Sequence, residues 1–234
     1  MGARALGGAP LMRPSSATAR PAAPVRPGSI GVMGGTFDPI HVGHLAAAEE
    51  VRETLGIERI LFIPNATPPF KLDGAAAPAA DRVTMVRLAI AGNPAFEVSE
   101  IEIDRGGVSY TADTIEALAE AERRAGRVPD LTLVLSAETL RDLPGWHEPA
   151  RLLAACRIAV VPREGYPAPD PEWLRGQLPG VEQRVDLLDG PRLEISSTAI
   201  RERVAAGRSI RYLVPSVVER YVADHGLYRR TDRP

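Results

Sequence analysis

The stretch Gly34-Gly35-Thr36-Phe37-Asp38-Pro39-Ile40-His41-Val42-Gly43-His44 decides how this chain folds. Before it, Ser29 to Met33 alternates apolar residues as a short buried strand does. After it, Leu45 to Val51 takes up helical spacing. The strand therefore feeds a tight turn, where glycine permits positive φ and close backbone approach to a ligand. The helix beyond opens with unpaired N–H groups and the positive end of its dipole, which together make an anion site. His41 and His44, three apart in its first turn, place both imidazoles on one face over that site, and Gly43 keeps the surface between them bare.

Other readings of the same residues fit less well. A His-x-x-His pair can hold zinc, but no third ligand cluster follows and Cys156 is the only thiol. Two core histidines do not suit a glycine-flanked helix mouth. A Walker loop requires Gly-Lys-Ser/Thr, and the dinucleotide fingerprint requires Gly-x-Gly-x-x-Gly; neither is present. The segment reads as a nucleotide site in which histidines meet phosphates.

With 234 residues and a formal net charge of −2, the chain has the size and balance of one α/β domain with a full core. That charge gives no reason to expect nucleic acid or an anionic membrane as partner. A single cysteine excludes an internal disulfide framework and fits a reducing, cytoplasmic compartment. No apolar run approaches transmembrane length. Residues 1–28 differ in kind, with Arg4, Arg13, Arg20 and Arg26, many Ala, Pro and Gly, and no acid. Gly and Pro break its apolar stretches, which excludes a secretory signal, and its prolines spoil the amphipathic helix of a transit peptide. The expectation is a disordered extension, or a start placed too early with Met12 as the true one, ahead of a single domain over 29–230.

From there strand and helix alternate. Strands are expected at Ile60 to Ile63, Phe96 to Ile103, Leu131 to Leu135, Arg157 to Val161 and Val181 to Leu188. Helices are expected at Arg82 to Ala91, Ala112 to Ala125, Pro149 to Ala155, Ser197 to Ala206 and Pro215 to His225. This predicts a Rossmann-like, doubly wound parallel sheet, covered on both faces, with ligands at the carboxyl ends of its strands.

Four later segments carry polar or aromatic groups in telling places. Residues 64–80 form a long Pro/Ala/Gly loop with one base, Lys71, and loops of this length are commonly functional. In Ser109-Tyr110-Thr111-Ala112-Asp113-Thr114, Ser109 and Thr111 are plausible caps for the next helix. Trp146 lies in a Pro-Gly loop, Leu143-Pro144-Gly145-Trp146-His147, where a wide ring suits a pocket as well as a core. Ile195-Ser196-Ser197-Thr198-Ala199-Ile200-Arg201 reads as an N-cap with a hydrophobic staple between Ile195 and Ile200. Arg201 is out of place there, since a cation in a first turn opposes the helix dipole by several tenths of a kcal/mol; a bound anion would reverse that.

From about Ile30 to Tyr228 the chain resembles the bacterial nicotinate-mononucleotide adenylyltransferases, within the nucleotidyltransferases that share His-x-Gly-His. GGTFDPIHVGHL, SYTADT, Trp146 and ISSTAIR carry the likeness. It implies a nucleotidyltransferase-type Rossmann fold and attack of nicotinate mononucleotide on ATP. His41, His44, Lys71 and Arg201 would serve the phosphates. Gly34, Gly35, Thr36, Phe37, Ser136, Glu138, Ile195, Ser196 and Ser197 would bind ATP. Asp38, Tyr110, Thr111 and Trp146 would bind the pyridine nucleotide, with the amides and hydroxyl around Tyr110 and Thr111 receiving its ring carboxylate and Trp146 stacking on the ring. Mg²⁺ would be held mainly through ATP phosphates, so no ligand cage of side chains is expected. A homo-oligomer is compatible with this reading.

Two departures stand out. Phe70 replaces a histidine usual before the loop lysine, and Ser136-Ala137-Glu138 replaces Gly-x-Asp, whose carboxylate holds the adenosine ribose. The competing readings are another His-x-Gly-His nucleotidyltransferase, which should lack the three later motifs, and a nucleotide-binding regulatory protein that has lost turnover.

Overall fold

The computed structural model describes residues 22–67, 75–163, 165–166, 169–178, 180 and 182–229. In chain order its elements are β1 (Arg26–Gly35), α1 (Val42–Leu55), β2 (Ile57–Pro64), α2 (Ala79–Ile90), β3 (Phe96–Val98), α3 (Ile101–Arg105), α4 (Thr111–Arg124), β4 (Asp130–Ser136), α5 (Ala137–Asp142), α6 (Pro149–Ala155), β5 (Arg157–Val161), α7 (Pro171–Gln177), β6 (Val185–Leu187), α8 (Ser197–Ala205) and α9 (Ser216–Asp224). The strands form one sheet in the order β3-β2-β1-β4-β5-β6, and every pairing is parallel. The order reverses between β1 and β4. A doubly wound sheet opens a crevice beyond its strand ends at such a reversal.

Side-chain alternation divides the core into two layers. Ile30, Val32, Leu131, Leu133, Leu135, Ile158 and Val160 point to one face, where Ile115 and Leu118 of α4 and Leu152 of α6 cover them. Met33, Phe62, Val134 and Ala159 point to the other, against Val51 of α1, Met85 of α2, Ile200 of α8 and Val218 of α9. Gly31 belongs to the second face, and a Cβ there would stand 2.3 Å from Ile60 Cδ1, so the Ile60 side chain fills the space that glycine leaves open.

The sequence reading is corrected at several element boundaries. β1 opens at Arg26, inside the segment expected to be extension. Arg26 donates its backbone N–H to Gly56 O (2.7 Å) and its Nε to Leu55 O (3.1 Å), and it pairs with Asp130. Residues 1–21, Met12 among them, lie outside the described residues. The expected strand Phe96 to Ile103 is two elements: β3 ends at Val98, and residues 101–105 are helical. Four alternating residues cannot separate period 2 from period 3.6. The anchor is Glu102, 7% exposed, which accepts from Thr114 Oγ1 at 2.7 Å. α5 and α7 were not expected at all; each is short and begins at a capping side chain, Ser136 and Asp170. Among the described residues no helix is long and apolar enough to cross a membrane.

Candidate active site

Beyond the carboxyl ends of β1, β4 and β5 lies a cleft of about 790 Å³. Gly34, Gly35 and Thr36 form part of its floor, but the glycines do not make the turn. Neither has positive φ; the left-handed residue is Phe37, at φ 48°. A Cβ on Gly34 would meet no atom within 4 Å, so its backbone lies bare towards the cleft. Phe37 itself is not on the cleft wall. It is 2% exposed in the core, its ring edge-on to His44 with centroids 5.1 Å apart, and so supports that imidazole from beneath.

His41 is the N-cap of α1 and His44 lies one turn on; their rings stack with centroids 3.7 Å apart. The His41 N–H donates to His44 Nδ1 at 3.2 Å. A neutral His44 accepting at Nδ1 must carry its proton on Nε2, which leaves an N–H donor on the ring's far side. A Cβ on Gly43 would stand 3.0 Å from His41 Nδ1, so any larger residue there would crowd the imidazole. Burial is the larger cause, and the Arg163 charge the lesser, of a His41 pKa lowered to about 4. His44 is pushed well below its ordinary value by burial first, then by His41 and Arg163. Both rings are neutral at pH 7: donors without charge.

Arg163 was missed by the sequence reading. It lies two residues beyond the end of β5, where a doubly wound sheet presents side chains to its crevice, so the expected topology was the available signal. It lines the cleft, and its Nε lies 3.3 Å from Glu138 Oε2. Ser136, expected among the ATP ligands, lines the cleft but has its hydroxyl turned into α5, accepting from Thr139 N at 3.1 Å.

Tyr110, Thr111, Trp146 and His147 add an aromatic and polar stretch to the cleft wall. Tyr110 stacks on His147 with centroids 4.2 Å apart. Trp146 lines the cleft and also packs, partly buried, against the core. The expected caps do not form: Tyr110 is the N-cap of α4 and makes no side-chain cap. That leaves the first amides of α4 without a side-chain acceptor from the cap. Ser109 is buried beside Glu102, a cleft carboxyl that no sequence signal marked. Burial raises the Glu102 pKa, and hydrogen bonds from Thr114 and Ser109 partly oppose this.

Several expected ligands serve the scaffold. Asp38 is 2% exposed and lies off the cleft wall; its carboxylate accepts from Ala76 N (2.7 Å), Ala77 N (3.1 Å) and Tyr228 Oη (2.7 Å). Arg201 is the fifth residue of α8, not in its first turn, and donates to Asp38 O at 2.8 Å, with the Asp38 carboxylate 3.9 Å away. Ser196 caps α8 by accepting from Ala199 N (3.1 Å), and Ser197 Oγ donates to Pro39 O (2.9 Å). Ile195 does reach the cleft. Arg82, 1% exposed, fixes the near foot of the long loop by donating to Asn65 O and Thr36 O, each at 2.8 Å. Phe70 and Lys71 lie outside the described residues. Among those described, no three His, Cys, Asp or Glu side chains are grouped to hold a metal ion.

Comparison with known proteins agrees with this geometry. The family described as Cytidylyltransferase-like matches residues 32–203. A "probable nicotinate-nucleotide adenylyltransferase" of a Roseiflexus species is 50% identical over 200 residues, covering 86% of this chain and 98% of the relative. One of the same name from Dehalococcoides mccartyi is 44% identical, covering 86% of this chain and 97% of its own length. The Plasmodium falciparum nicotinic acid mononucleotide adenylyltransferase complexed with NaAD has the same fold, with a TM-score of 0.71 at 17% identity over 86% of this chain and 97% of that one.

Proposed function

The chain belongs to the nicotinate-nucleotide adenylyltransferase family, within the wider cytidylyltransferase-like group, and we infer that its cleft joins nicotinate mononucleotide to the adenylyl group of ATP. The products are nicotinate adenine dinucleotide and pyrophosphate, a step of NAD biosynthesis. The carrying observation is the stacked His41–His44 pair at the mouth of α1, lining one cleft together with Tyr110 and Trp146. The histidines suit phosphate and the aromatic residues suit a flat ring.

The nucleophile, a phosphate oxygen of the mononucleotide, is already anionic, so its attack on the α-phosphorus needs no general base. Positioning and charge stabilisation account for the rate. His44 Nε2–H and the opening amides of α1 donate to the phosphates; the ring neutrality described above suits a donor that is not consumed. By family likeness Lys71 and Arg201 bracket the β,γ end of ATP. The backbone of Gly34 to Thr36 lies along the nucleotide, and Ile195 packs against it. Tyr110, Thr111 and the first amides of α4 receive the nicotinate carboxylate, and Trp146 stacks on the ring. Mg²⁺ fits this donor set only as an ion held by phosphate oxygens and water, where it would neutralise polyphosphate charge. A cytoplasmic setting agrees with the single, buried cysteine.

Purified protein with ATP, Mg²⁺ and each pyridine mononucleotide in turn should release pyrophosphate, fastest with the nicotinate form. No release with either mononucleotide would contradict this function and favour a regulatory, non-catalytic role.

A further inference from the structure

We propose that Arg163 is a polyphosphate-binding cation of the cleft and that Glu138 is its counter-ion in place of a ribose ligand, the pair separating as the nucleotide enters. The proposal rests on the reading that ATP occupies this cleft.

Charge sets the need. ATP brings several negative charges, yet both histidines are neutral. Arg163 is the only arginine or lysine on the cleft wall among the described residues. Arg163 lies two residues beyond β5, whose last residue Val161 pairs with Ser136 at the end of β4, so it stands at the carboxyl edge of the sheet one strand from the switch point, on the cleft wall. Its charge also reaches both imidazoles, which places it on the phosphate side of the cleft.

The Glu138–Arg163 contact is suited to exchange. The two side chains are 40% and 38% exposed, and a pair this wet shifts an equilibrium only by a factor of about one to five. A phosphate offers the guanidinium two oxygens and a higher charge. Glu138 would not be stranded, because the Tyr166 hydroxyl also bonds it. The backbone N–H of Tyr166 in turn donates to Arg163 O at 3.0 Å, closing the turn that carries both residues. The carboxylate that replaces the family's shorter aspartate thus has two donors here that are not ribose hydroxyls.

Calorimetric titration with inorganic pyrophosphate and with ATP tests this on wild type, Arg163→Ala and Glu138→Gln. Arg163→Ala should weaken pyrophosphate binding by about 10- to 100-fold, the range for a charged hydrogen bond. Glu138→Gln should bind both ligands at least as tightly as wild type. Should the alanine variant not fold, Arg163→Gln takes its place. Pyrophosphate affinity within two-fold of wild type without Arg163 overturns the proposal. So does a Glu138→Gln variant that loses ATP affinity but keeps pyrophosphate, since that marks a ribose ligand, and so does a wild type that binds no pyrophosphate. A wild type that binds pyrophosphate but catalyses no transfer overturns the adenylyltransferase reading while leaving the Arg163 comparison intact.

Discussion

The hydroxyl of Tyr228 donates a 2.7 Å hydrogen bond to Oδ1 of Asp38, joining residues 190 apart in the chain. Asp38 also holds the amides of Ala76 and Ala77, at the far foot of the long loop, and stands next to Arg201. The aspartate of the opening motif is therefore a junction between the loop, the helix after the third motif and the C-terminal segment. Burial and the Asp38 charge push the Tyr228 hydroxyl far up, so it remains a donor at any working pH.

Tyr228→Phe removes one donor from a buried carboxylate. It should lower unfolding stability by about 1.5–3 kcal/mol, the range for hydrogen bonds to charged groups. Urea denaturation measures this, and an unchanged midpoint would show that Asp38 is satisfied without Tyr228.

Arg201→Ala should destabilise the ligand-free protein by about 1.5–3 kcal/mol and also weaken ATP binding. The helix-dipole reading of the sequence gave the opposite sign for the first effect. The contacts with Asp38 reverse it, because truncation leaves the Asp38 carbonyl without its Arg201 donor and removes a cation 3.9 Å from a buried carboxylate. Melting curves with and without ATP separate the two effects.

His44→Ala should lower turnover by about 10²- to 10³-fold while the fold persists. Some stability goes with the lost contacts to His41 and Phe37. A folded variant of near-normal rate would remove His44 from the phosphates.

Stability should fall between about pH 6.5 and pH 4. His41 takes up its proton near 4 in the fold but near 6.5 once unfolded. The unfolded chain binds that proton first, so stability is full above 6.5 and declines as pH drops to about 4, by on the order of 3 kcal/mol. His44, lowered by burial and its neighbours, acts in the same direction. His41→Asn should flatten this part of the stability profile; an unaltered slope would mean other groups produce it.

Trp146→Ala should raise KM for the pyridine mononucleotide by about ten-fold or more, with a smaller change for ATP. Loss of one stacked aromatic face is worth about 1–3 kcal/mol in comparable base stacking. Equal changes for both substrates would mark the contacts with the core as the dominant ones.

The sequence by itself determined the sheet, its parallel sense and the histidine-bearing helix mouth that lines the cleft. Alternating strands, helical spacing and a glycine-histidine helix mouth are local signals, and the packed structure retains them. It also foresaw Ser196 as a cap, because a cap needs only the four residues that follow it. Tertiary structure alone decided what the polar residues of the motifs do. The scaffold bonds of Asp38 were not legible because its partners, Ala76, Ala77 and Tyr228, lie 38 to 190 residues away in sequence, and Arg201 bonds Asp38 O from 163 residues away. Glu102 curled a short alternating segment into helix by bonding Thr114, and Arg163 became a cleft cation because the turn after β5 sets it beside Glu138. Period and propensity are set by neighbours along the chain, whereas burial and charge are set by neighbours across it, and those exist only after the sheet has closed.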